Sequence, residues 1–587
     1  MNGQTLNRRT FVGSLAAAGG AFLLPSVTRG APLAGALAPA MLIASRSIPA
    51  VMESFRTTGF RADGDGGGAL YRRVAARPAH AFALQDANGA WYEGQAENGF
   101  IDAAALGALG RSSNEIPALQ RALDAAIAKD SWLRLKSGAT YVCDPSKAAG
   151  NGWMALPRNG QSVRIDFNGA TLKFADNLPR DKGRFWHLFS VPLQSARGGR
   201  NRRVPLVHLR GPRLDGNARS QPRPVGRSDY EQRSLIRVAA HDGNRIERVI
   251  IEDAWIEDRI ADGLIIGNST SESDGPRAPI ARCDIIRPRC GPADNAVRAF
   301  IGVGSGCSHT RIVDPQAAPR RAGGRYNSIE TEFSSIGSQK VLLEIEGGTV
   351  DALELGAPSD MRDHRDFKVL ATNLTLRDYY VHVGGSIETR DCDFAIGLKN
   401  AFAVREALHR NTLFRHATEE SGEVCRIAIR ADWVPINDWR EENCRHILSS
   451  APSAGAKNPA FKMLPTEAGK QDDIRLHLTG CSFDPRFPMA IDGYGGGSVV
   501  TRDCRMGGRL AGVRTGSFGK YAGTYVSQGD DWGSVGAPVA VEIIGNVARN
   551  ARHRIEGGRF GGKSIKLRGR FARQSIAAIP PGVRLDS

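Results

Sequence analysis

The chain has 587 residues and a formal net charge of +17, and 41% of its residues are hydrophobic and 24% charged. This composition excludes wholesale disorder and a membrane-embedded body, because that apolar fraction is enough to bury a large core. The length corresponds either to several domains or to one elongated repeat architecture. Most of the basic residues are arginine. Guanidinium groups suit carboxylate, sulfate or phosphate partners, although arginine richness also follows from GC-rich codon usage.

Residues 1–38 predict an export signal. Arg8-Arg9 precede a weakly apolar run over 14–24, and no acidic residue occurs before Glu53. This arrangement resembles a bacterial twin-arginine signal peptide. Because the apolar run is too short to span a bilayer, we expect no stable membrane insertion. The predicted location is the periplasm or the extracellular space, reached through the twin-arginine pathway.

A small irregular β module is predicted over residues 48–105. It contains a glycine-rich loop at 59–68 that leads into a short strand, and a second strand at 91–93. The loop lacks the Gly-Lys-Ser/Thr signature of a phosphate site and no helix follows it, which indicates ordinary turn chemistry.

One clear helix is predicted over 114–128. Its apolar residues recur every three or four positions, at Ile116, Leu119, Leu123 and Ile127, and Ser113 or Asn114 can cap it. A second, weaker helical stretch is predicted around 402–409.

Short strands recur from about residue 131 onward. Each unit is an apolar/polar alternation, a Gly, Asn or Asp bend and a second strand, as at 163–172, 249–258 and 369–378. Such a unit cannot bury its inner face alone, so its repetition every 25–35 residues or so predicts a solenoid. The hairpin turns of a β-sandwich are sparse.

Nine cysteines are scattered along the chain without a Cys-x-x-Cys pair or zinc-ligand spacing. The intervals from Cys283 to Cys307 and from Cys481 to Cys504 are each close to one solenoid turn. Stacked, buried thiols are therefore favoured over a disulfide framework, and the sequence leaves metal binding undecided.

The succession of Ala104–Ala108, the capped helix and the segment 133–141 resembles the start of a pectate-lyase-superfamily right-handed parallel β-helix. The resemblance implies an all-β solenoid over 106–587, with the helix at 114–128 covering its N-terminal end. It also implies a carbohydrate ligand, although the fold alone does not fix a function.

The first candidate catalytic residue is Asp262, in a turn directly before a buried strand. Proteins of the resembled family often present an acidic residue at such a place. Arg259 is close enough in sequence to hold this carboxylate ionised or to bind substrate. An exposed turn carboxylate contributes little to the core, so Asp262→Asn is expected to abolish turnover and leave thermal unfolding unchanged. The alternative is a simple Asx-turn residue.

The second candidate is the segment 325–333. Alternation places Glu330 and Glu332 on the face opposite Ile329, and two adjacent carboxylates favour a general acid. Arg325 and Tyr326 would then contact the substrate. The alternative is a pair of solvated glutamates on an outer strand.

Further candidates lie between 351 and 382. Tyr380 and His382 share a strand face and could exchange a proton in β-elimination, although a lone strand histidine is more often structural. Asp351 and Glu354 are three positions apart and would face opposite ways, so this acid pair ranks lower. The arginine-rich tail after 548 has no aromatic stacking platform, which disfavours nucleic acid as a partner.

Together these features predict an exported enzyme that cleaves glycosidic bonds of an acidic polysaccharide. Two mechanisms stay open, β-elimination and two-carboxylate hydrolysis as in a polysaccharide lyase or a glycoside hydrolase. The alternatives are a uronic-acid epimerase and a non-catalytic glycan-binding surface solenoid. The sequence establishes no cofactor with certainty, and Ca²⁺ is one cation that elimination could use.

Overall fold

The computed structural model describes residues 37–148, 151–179, 186–194, 199–222, 233–267, 279–292, 298–304, 306–320, 327–332, 340–356, 367–397, 402–419, 421, 423–430, 437–464, 474–493, 497–507, 511–516, 523–531, 541–544, 553–556 and 576–577. Within these ranges the chain forms a parallel β-helix, as the repeats predict, preceded by a four-stranded antiparallel sheet. The predicted export signal lies almost entirely outside the described residues.

The antiparallel sheet contains Ser54–Arg56, Leu70–Val74, Ala83–Gln85 and Trp91–Gly94. Its strands enclose the aromatic rings of Phe55, Tyr71 and Tyr92. The glycine-rich loop folds around its own Asp65, whose carboxylate accepts hydrogen bonds from four backbone N–H groups of residues 60–67. This arrangement explains why the loop needs no ligand.

The solenoid begins earlier than predicted, because Phe100–Asp102 already pairs in parallel with Trp132–Arg134. Between these strands lies the α-helix Ile116–Ala128, which contacts both of them and covers the end of the solenoid. The helix starts two residues later than predicted, since Asn114 Oδ1 accepts the N–H of Ile116 at 3.2 Å from outside the helix. No helix in the described ranges has the length and apolarity needed to cross a membrane.

The strands of the solenoid form three faces, and two long strands run through the second and third faces together. The first face contains Phe100–Asp102, Trp132–Arg134, Val163–Asp166, Arg203–Arg210, Arg245–Glu252, Ile280–Ile286, Cys307–Val313, Val341–Glu346, Phe367–Thr372, Ser386–Arg390, Glu406–Arg410, Asn437–Glu442, Ile474–Thr479, Gly497–Arg502, Gly523–Gln528, His553–Glu556 and Ile576–Ala577. The second face contains Thr140–Cys143, Thr171–Phe174, Arg213–Asp215, Trp255–Glu257, Arg289–Cys290, Gln316–Ala317, Asp393–Ile396, Leu413–His416, Arg445–Leu448 and Ser482–Phe483.

The third face contains Gly152–Met154, His187–Leu193, Ser234–Ala240, Asp262–Ile266, Ile301–Gly304, Ser328–Glu332, Phe402–Ala403, Ile427–Arg430, Pro459–Leu464, Met489–Gly493, Ala511–Gly516 and Val541–Ile544. The two strands that join the second and third faces are Thr349–Gly356 and Thr375–Val383. Short 3-10 helices lie at Ala40–Ser45, Ala103–Leu106, Pro145–Lys147 and Ala218–Ser220.

A left-handed residue marks the bend from the first to the second face. Asp253, Asp314 and Asn373 have φ values of 54°, 50° and 53°, in the region that Asn, Asp and Gly tolerate best. The N–H of Asp253 donates to Ile286 O of the next turn at 2.8 Å, so the bends stack along with the strands. These bends are the physical origin of the Gly/Asn/Asp periodicity in the sequence.

The helix predicted around 402–409 is wrong. The chain forms the strands Phe402–Ala403 and Glu406–Arg410 there instead. Ala407 and His409 are buried while Glu406 is exposed, which is a period of two. Parallel pairing on both sides, to Ser386–Arg390 and Asn437–Glu442, overrides the local helical preference.

All nine cysteines are free and buried. Cys444, Cys481 and Cys504 follow the bend in consecutive turns, because Arg445 pairs with Ser482 and Ser482 with Arg505. The prediction of stacked thiols is therefore confirmed for Cys481 and Cys504, whereas Cys283 pairs in register with Thr310 and Cys307 with Ile280.

A buried polar chain crosses the core in the turns around residues 409–446. His416 Nε2 lies 3.1 Å from His446 Nδ1, and His446 Nε2 lies 2.8 Å from Glu441 Oε2. The other carboxylate oxygen of Glu441 accepts the indole N–H of Trp439 at 2.9 Å. The His409 ring contacts the Trp439 ring nearby in a tilted arrangement, at 4.6 Å between centroids.

Buried histidines should make the protein acid-sensitive. Burial lowers the pKa of His382 and His409 to about 4 and that of His416 to about 3, from 6.5. The unfolded chain therefore binds these protons first, and stability present above pH 6.5 is lost as the pH falls toward 4. We expect each histidine to contribute up to about 1.4 kcal/mol per pH unit in this window.

Urea unfolding between pH 4.5 and 7.5 measures this effect. His409→Phe retains an aromatic ring but removes one titrating group. The slope of the free energy of unfolding against pH should therefore decrease by the contribution of about one proton. The same slope in both proteins would contradict the prediction.

Candidate functional site

Outward-pointing side chains of the third face form rows that run along the solenoid. Strand register places Gly302, Glu330 and Glu354 side by side in three consecutive turns. Neighbouring positions of such a row are about 4.8 Å apart at the backbone. This row is the candidate site.

Glu330 lies in the middle of Ser328–Glu332. Ile329 is fully buried and Thr331 nearly so, which leaves Glu330 on the outward side, partly exposed. Its Oε1 accepts a hydrogen bond from the hydroxyl of Ser328 at 2.8 Å. The backbone of Glu332 belongs to the same strand, and its side chain lies outside the described structure.

Glu354 was ranked lower on sequence grounds, yet it is the register neighbour of Glu330. Leu353 and Leu355 on either side of it are fully buried, so Glu354 also points outward. Asp351 does separate from it, as the spacing predicts, and is buried in an ion pair with Arg377 at 2.9 Å. The alternation at 353–355 was a usable signal, but the register with Glu330 was not readable from the sequence.

Gly302 precedes Glu330 in the row and leaves the surface there without a side chain. A Cβ placed on Gly302 would meet neighbouring atoms no closer than 3.8 Å, so core packing does not require glycine at this position. A glycine in a strand interior often marks a place where a ligand approaches the backbone. Gly302 is itself buried, and it places no side chain beside the Glu330 carboxylate.

Asp262 is not the exposed turn residue that the sequence predicts. It begins the strand Asp262–Ile266 and is only 2% exposed. Its carboxylate accepts hydrogen bonds from Arg298 Nε at 3.1 Å and from Ala299 N at 3.0 Å. The exposure on which the expected near-neutral effect of Asp262→Asn on stability rested is therefore wrong.

The surroundings of Asp262 favour its protonated form. Burial, the largest cause, and the negative charge of Glu330 raise its pKa from 3.8 to about 7, against the opposing charges of Arg298 and Arg259. Asp262 and Glu330 therefore influence each other electrostatically, although they belong to turns that are two apart.

The stabilisation that the folded state gains from protonation of Asp262 is present in full below pH 3.8 and is lost as the pH rises through 7. Asp262→Asn removes this titrating group. Between pH 4 and 7 the free energy of unfolding of the unmodified protein should therefore fall with pH by up to about 1.4 kcal/mol per pH unit more than that of the variant. Urea unfolding at pH 5 and pH 7 checks this. The exposed Asp253 supplies the control, Asp253→Asn, and an unchanged slope in Asp262→Asn would contradict the assignment.

Arg259 was predicted to bind substrate but points into the protein, where it is 1% exposed. Its guanidinium donates to Ala261 O and Ala299 O, each at 2.9 Å, and to Asn327 Oδ1 at 3.1 Å. These bonds hold the corner between the second and third faces, so Arg259 is a structural residue.

Tyr380 and His382 do share a face, but it is the inward one. Both are fully buried. His382 is stacked on Phe367 and shares a hydrogen bond with Gly384 O at 2.7 Å, while the Tyr380 ring contacts Phe402. Because they are buried, neither side chain can reach a polymer on the surface. Alternation along a strand predicts which residues share a face, but it does not predict which face is outside.

Arg325 and Tyr326 lie outside the described residues. Within the described ranges, no three or more His, Cys, Asp or Glu side chains converge in an arrangement that could hold a metal ion.

No family model and no curated protein matches the sequence, so the resemblance to the pectate-lyase superfamily stays a prediction. Among solved structures, the chain is similar to Pantoea stewartii WceF, described as a glycan biofilm modifying enzyme with a tailspike-like parallel β-helix fold. The identity is 8% and the TM-score 0.33, over 74% of this chain and 52% of that chain.

A second similar structure is the enzymatically active domain of tailspike protein 4 from bacteriophage CBA120, with 10% identity and a TM-score of 0.27 over 84% of this chain and 53% of that one. A third is tailspike gp49 of Acinetobacter baumannii bacteriophage Fri1, a capsular polysaccharide depolymerase, with 11% identity and a TM-score of 0.23 over 94% and 77%. The chain spans about half the length of the first two. The parallel pairing of its own strands is what establishes this protein as a β-helix.

Proposed function

We propose that the protein is a glycan-cleaving enzyme that hydrolyses glycosidic bonds with two carboxylates, Glu330 and Glu354. The observation that carries this proposal is their placement as register neighbours on the outward side of the third face. Both side chains are partly exposed, and Gly302 places no side chain on one side of the pair.

The spacing of the two residues suits this chemistry. Positions in adjacent turns are about 4.8 Å apart. Retaining glycosidases hold their carboxyl groups about 5–5.5 Å apart, whereas inverting enzymes need about 6.5–9.5 Å to admit a water molecule. The pair therefore favours a retaining reaction.

The surroundings suggest a role for each carboxylate. The hydroxyl of Ser328 fixes one oxygen of Glu330, and a carboxylate held in this way is oriented for attack on the sugar carbon. Glu354, on the next turn, then protonates the leaving oxygen. Once the glycosyl–enzyme bond has formed, Glu354 takes a proton from water, which cleaves that bond and restores Glu330.

Elimination and epimerisation receive less support from the described residues. Both reactions need a base that reaches the carbon beside a uronate carboxylate and a cation that neutralises that carboxylate. Tyr380 and His382, the residues predicted to transfer the proton, are buried, and the guanidinium of Arg259 is hydrogen-bonded to the protein itself.

We also propose an acidic polysaccharide as the substrate and export through the twin-arginine signal in residues 1–38. The high proportion of arginine and the net charge of +17 support the first of these, and the Arg8-Arg9 segment supports the second. Cell fractionation with and without an Arg8→Lys/Arg9→Lys replacement tests the export step.

A product assay tests the chemistry. The full-length mature protein is incubated with a set of acidic polysaccharides, and new reducing ends are followed together with the ultraviolet absorbance of unsaturated sugars. Hydrolysis releases reducing ends without the absorbance, whereas elimination produces both. Binding without either signal would instead support the non-catalytic solenoid, and the double variant Glu330→Gln/Glu354→Gln supplies the background.

A further inference from the structure

A cleft of about 190 Å³ opens on the second face, away from the glutamate pair. It is lined by Thr171, Arg213, Leu214, Trp255 and Glu257. The turn that contains Trp255 lies two turns before the one that contains Glu330. The cleft is therefore about 10 Å from Glu330 along the axis and on the adjoining face.

Trp255 is an unusual residue for a protein surface. Ile256 is fully buried, so the alternation directs Trp255 and Glu257 outward, and the indole is 39% exposed. The indole N–H donates to Glu257 Oε1, which fixes the orientation of the ring. Clefts that combine an exposed aromatic ring with a few polar groups are typical of ligand sites.

Two guanidinium groups flank the ring. Arg213 and Arg289 are the register neighbours of Trp255 in the preceding and following turns, and both are exposed. Among the described residues neither forms an ion pair. By contrast, the two acids on these strands have partners, since Glu257 in the cleft bonds to Trp255 and Asp215 beside it pairs with Lys173 at 3.1 Å.

Some exposed arginines elsewhere on the solenoid are instead held by carboxylates of adjacent turns, as Arg287 is by Asp253 and Arg415 by Asp393, each at 2.7 Å. Arg213, Trp255 and Arg289 form a row with a spacing of about 4.8 Å. The row offers the flat apolar face of an indole between two guanidinium groups that can bind carboxylates.

We propose that this cleft binds an acidic sugar of a glycan strand. The sugar ring stacks on Trp255, and Arg213 and Arg289 bind carboxylates of that sugar and its neighbour along the strand. The site holds the polymer and takes no part in bond cleavage. This inference rests on the proposed function only in taking a glycan as the ligand.

Native affinity electrophoresis of the full-length mature protein tests the proposal, with polygalacturonate or alginate cast in the gel and dextran as the neutral comparison. Trp255→Ala leaves the net charge unchanged and should weaken retardation by the acidic polymers about tenfold. Trp91→Ala, in the N-terminal sheet, is the matched control and should bind like the unmodified protein.

Charge is tested separately. Arg213→Gln should weaken binding, whereas Arg158→Gln, which removes the same charge from another exposed position, should not. Equal losses in the two arginine variants, wild-type binding by Trp255→Ala, or no retardation of the unmodified protein by either acidic polymer would overturn the proposal. Stronger retardation by dextran would also overturn it.

The two proposals fail independently. Glu330→Gln should bind the acidic polymers normally even though it cannot cleave them. Loss of cleavage with retained binding in Glu330→Gln, beside loss of binding in Trp255→Ala, would support both sites. Cleavage that survives in Glu330→Gln would remove the proposed function and leave the Trp255 site standing.

Discussion

Glu330→Gln is expected to lower kcat on a cleavable acidic polysaccharide by about 10³-fold or more, because the amide can neither attack the sugar carbon nor carry the negative charge that stabilises the transition state. The side chain is partly exposed and the amide keeps an acceptor for the Ser328 hydroxyl, so the urea midpoint should change little. Initial rates of reducing-end formation measure the effect.

Glu354→Gln should lose about 10²–10⁴-fold through the missing acid, and less on substrates with good leaving groups. If Glu330 is the nucleophile, azide should restore turnover in Glu354→Gln with the anomeric configuration retained, and in a Glu330→Gly variant with it inverted. Gly302→Leu places a bulky side chain beside the pair without altering a carboxylate and should raise KM more than it lowers kcat. Full activity in Glu330→Gln would exclude this pair as the catalytic site.

Glu441→Leu should destabilise the solenoid by about 3–5 kcal/mol, because it removes the carboxylate to which two fully buried groups, the His446 ring and the Trp439 indole, are hydrogen-bonded. Glu441 and His446 both have 0% side-chain exposure, and their atoms are 2.8 Å apart. Burial alone would raise the pKa of Glu441, but the charge and hydrogen bond of His446 lower it overall. Trp439 would also lose the acceptor of its indole N–H.

The neighbouring Glu442 supplies the control. It pairs with Arg410 at 2.8 Å but its side chain is 48% exposed, so Glu442→Leu should cost no more than about 1 kcal/mol. Glu441→Gln, which keeps the hydrogen-bond acceptor, should fall between the two. Urea unfolding of the three variants at pH 7 measures the order. Equal effects at positions 441 and 442 would contradict the prediction, because the buried pair would then contribute no more to stability than the exposed one.

Local patterns were sufficient to predict the architecture. A strand, a left-handed bend and another strand require only short-range information, since period-two alternation and residues that tolerate positive φ, such as Asp253 and Asn373, are both written in the sequence. The same local logic placed Glu330 opposite Ile329 and predicted the helix that ends at Ala128. It failed at 402–409, where pairing with the adjacent turns outweighed the local preference.

The candidate site depends on contacts between turns. Alternation showed that Tyr380 and His382 share a face, but only the closed solenoid decides that this face is the core. The position of Asp262 likewise follows from the folding of the Arg298 and Ala299 segment over its carboxylate.

The sequence by itself determined the fold class, the stacking of Cys481 and Cys504 and the placement of Glu330 on the face opposite Ile329, because each follows from a short repeat. Only the tertiary structure decided that Glu354 is the partner of Glu330 and that Arg213 and Arg289 flank Trp255. The loops between strands differ in length from turn to turn, so separation along the chain does not reveal which residues share a row. Parallel hydrogen bonding between complete turns fixes that register, and with it the chemistry that neighbouring side chains can perform.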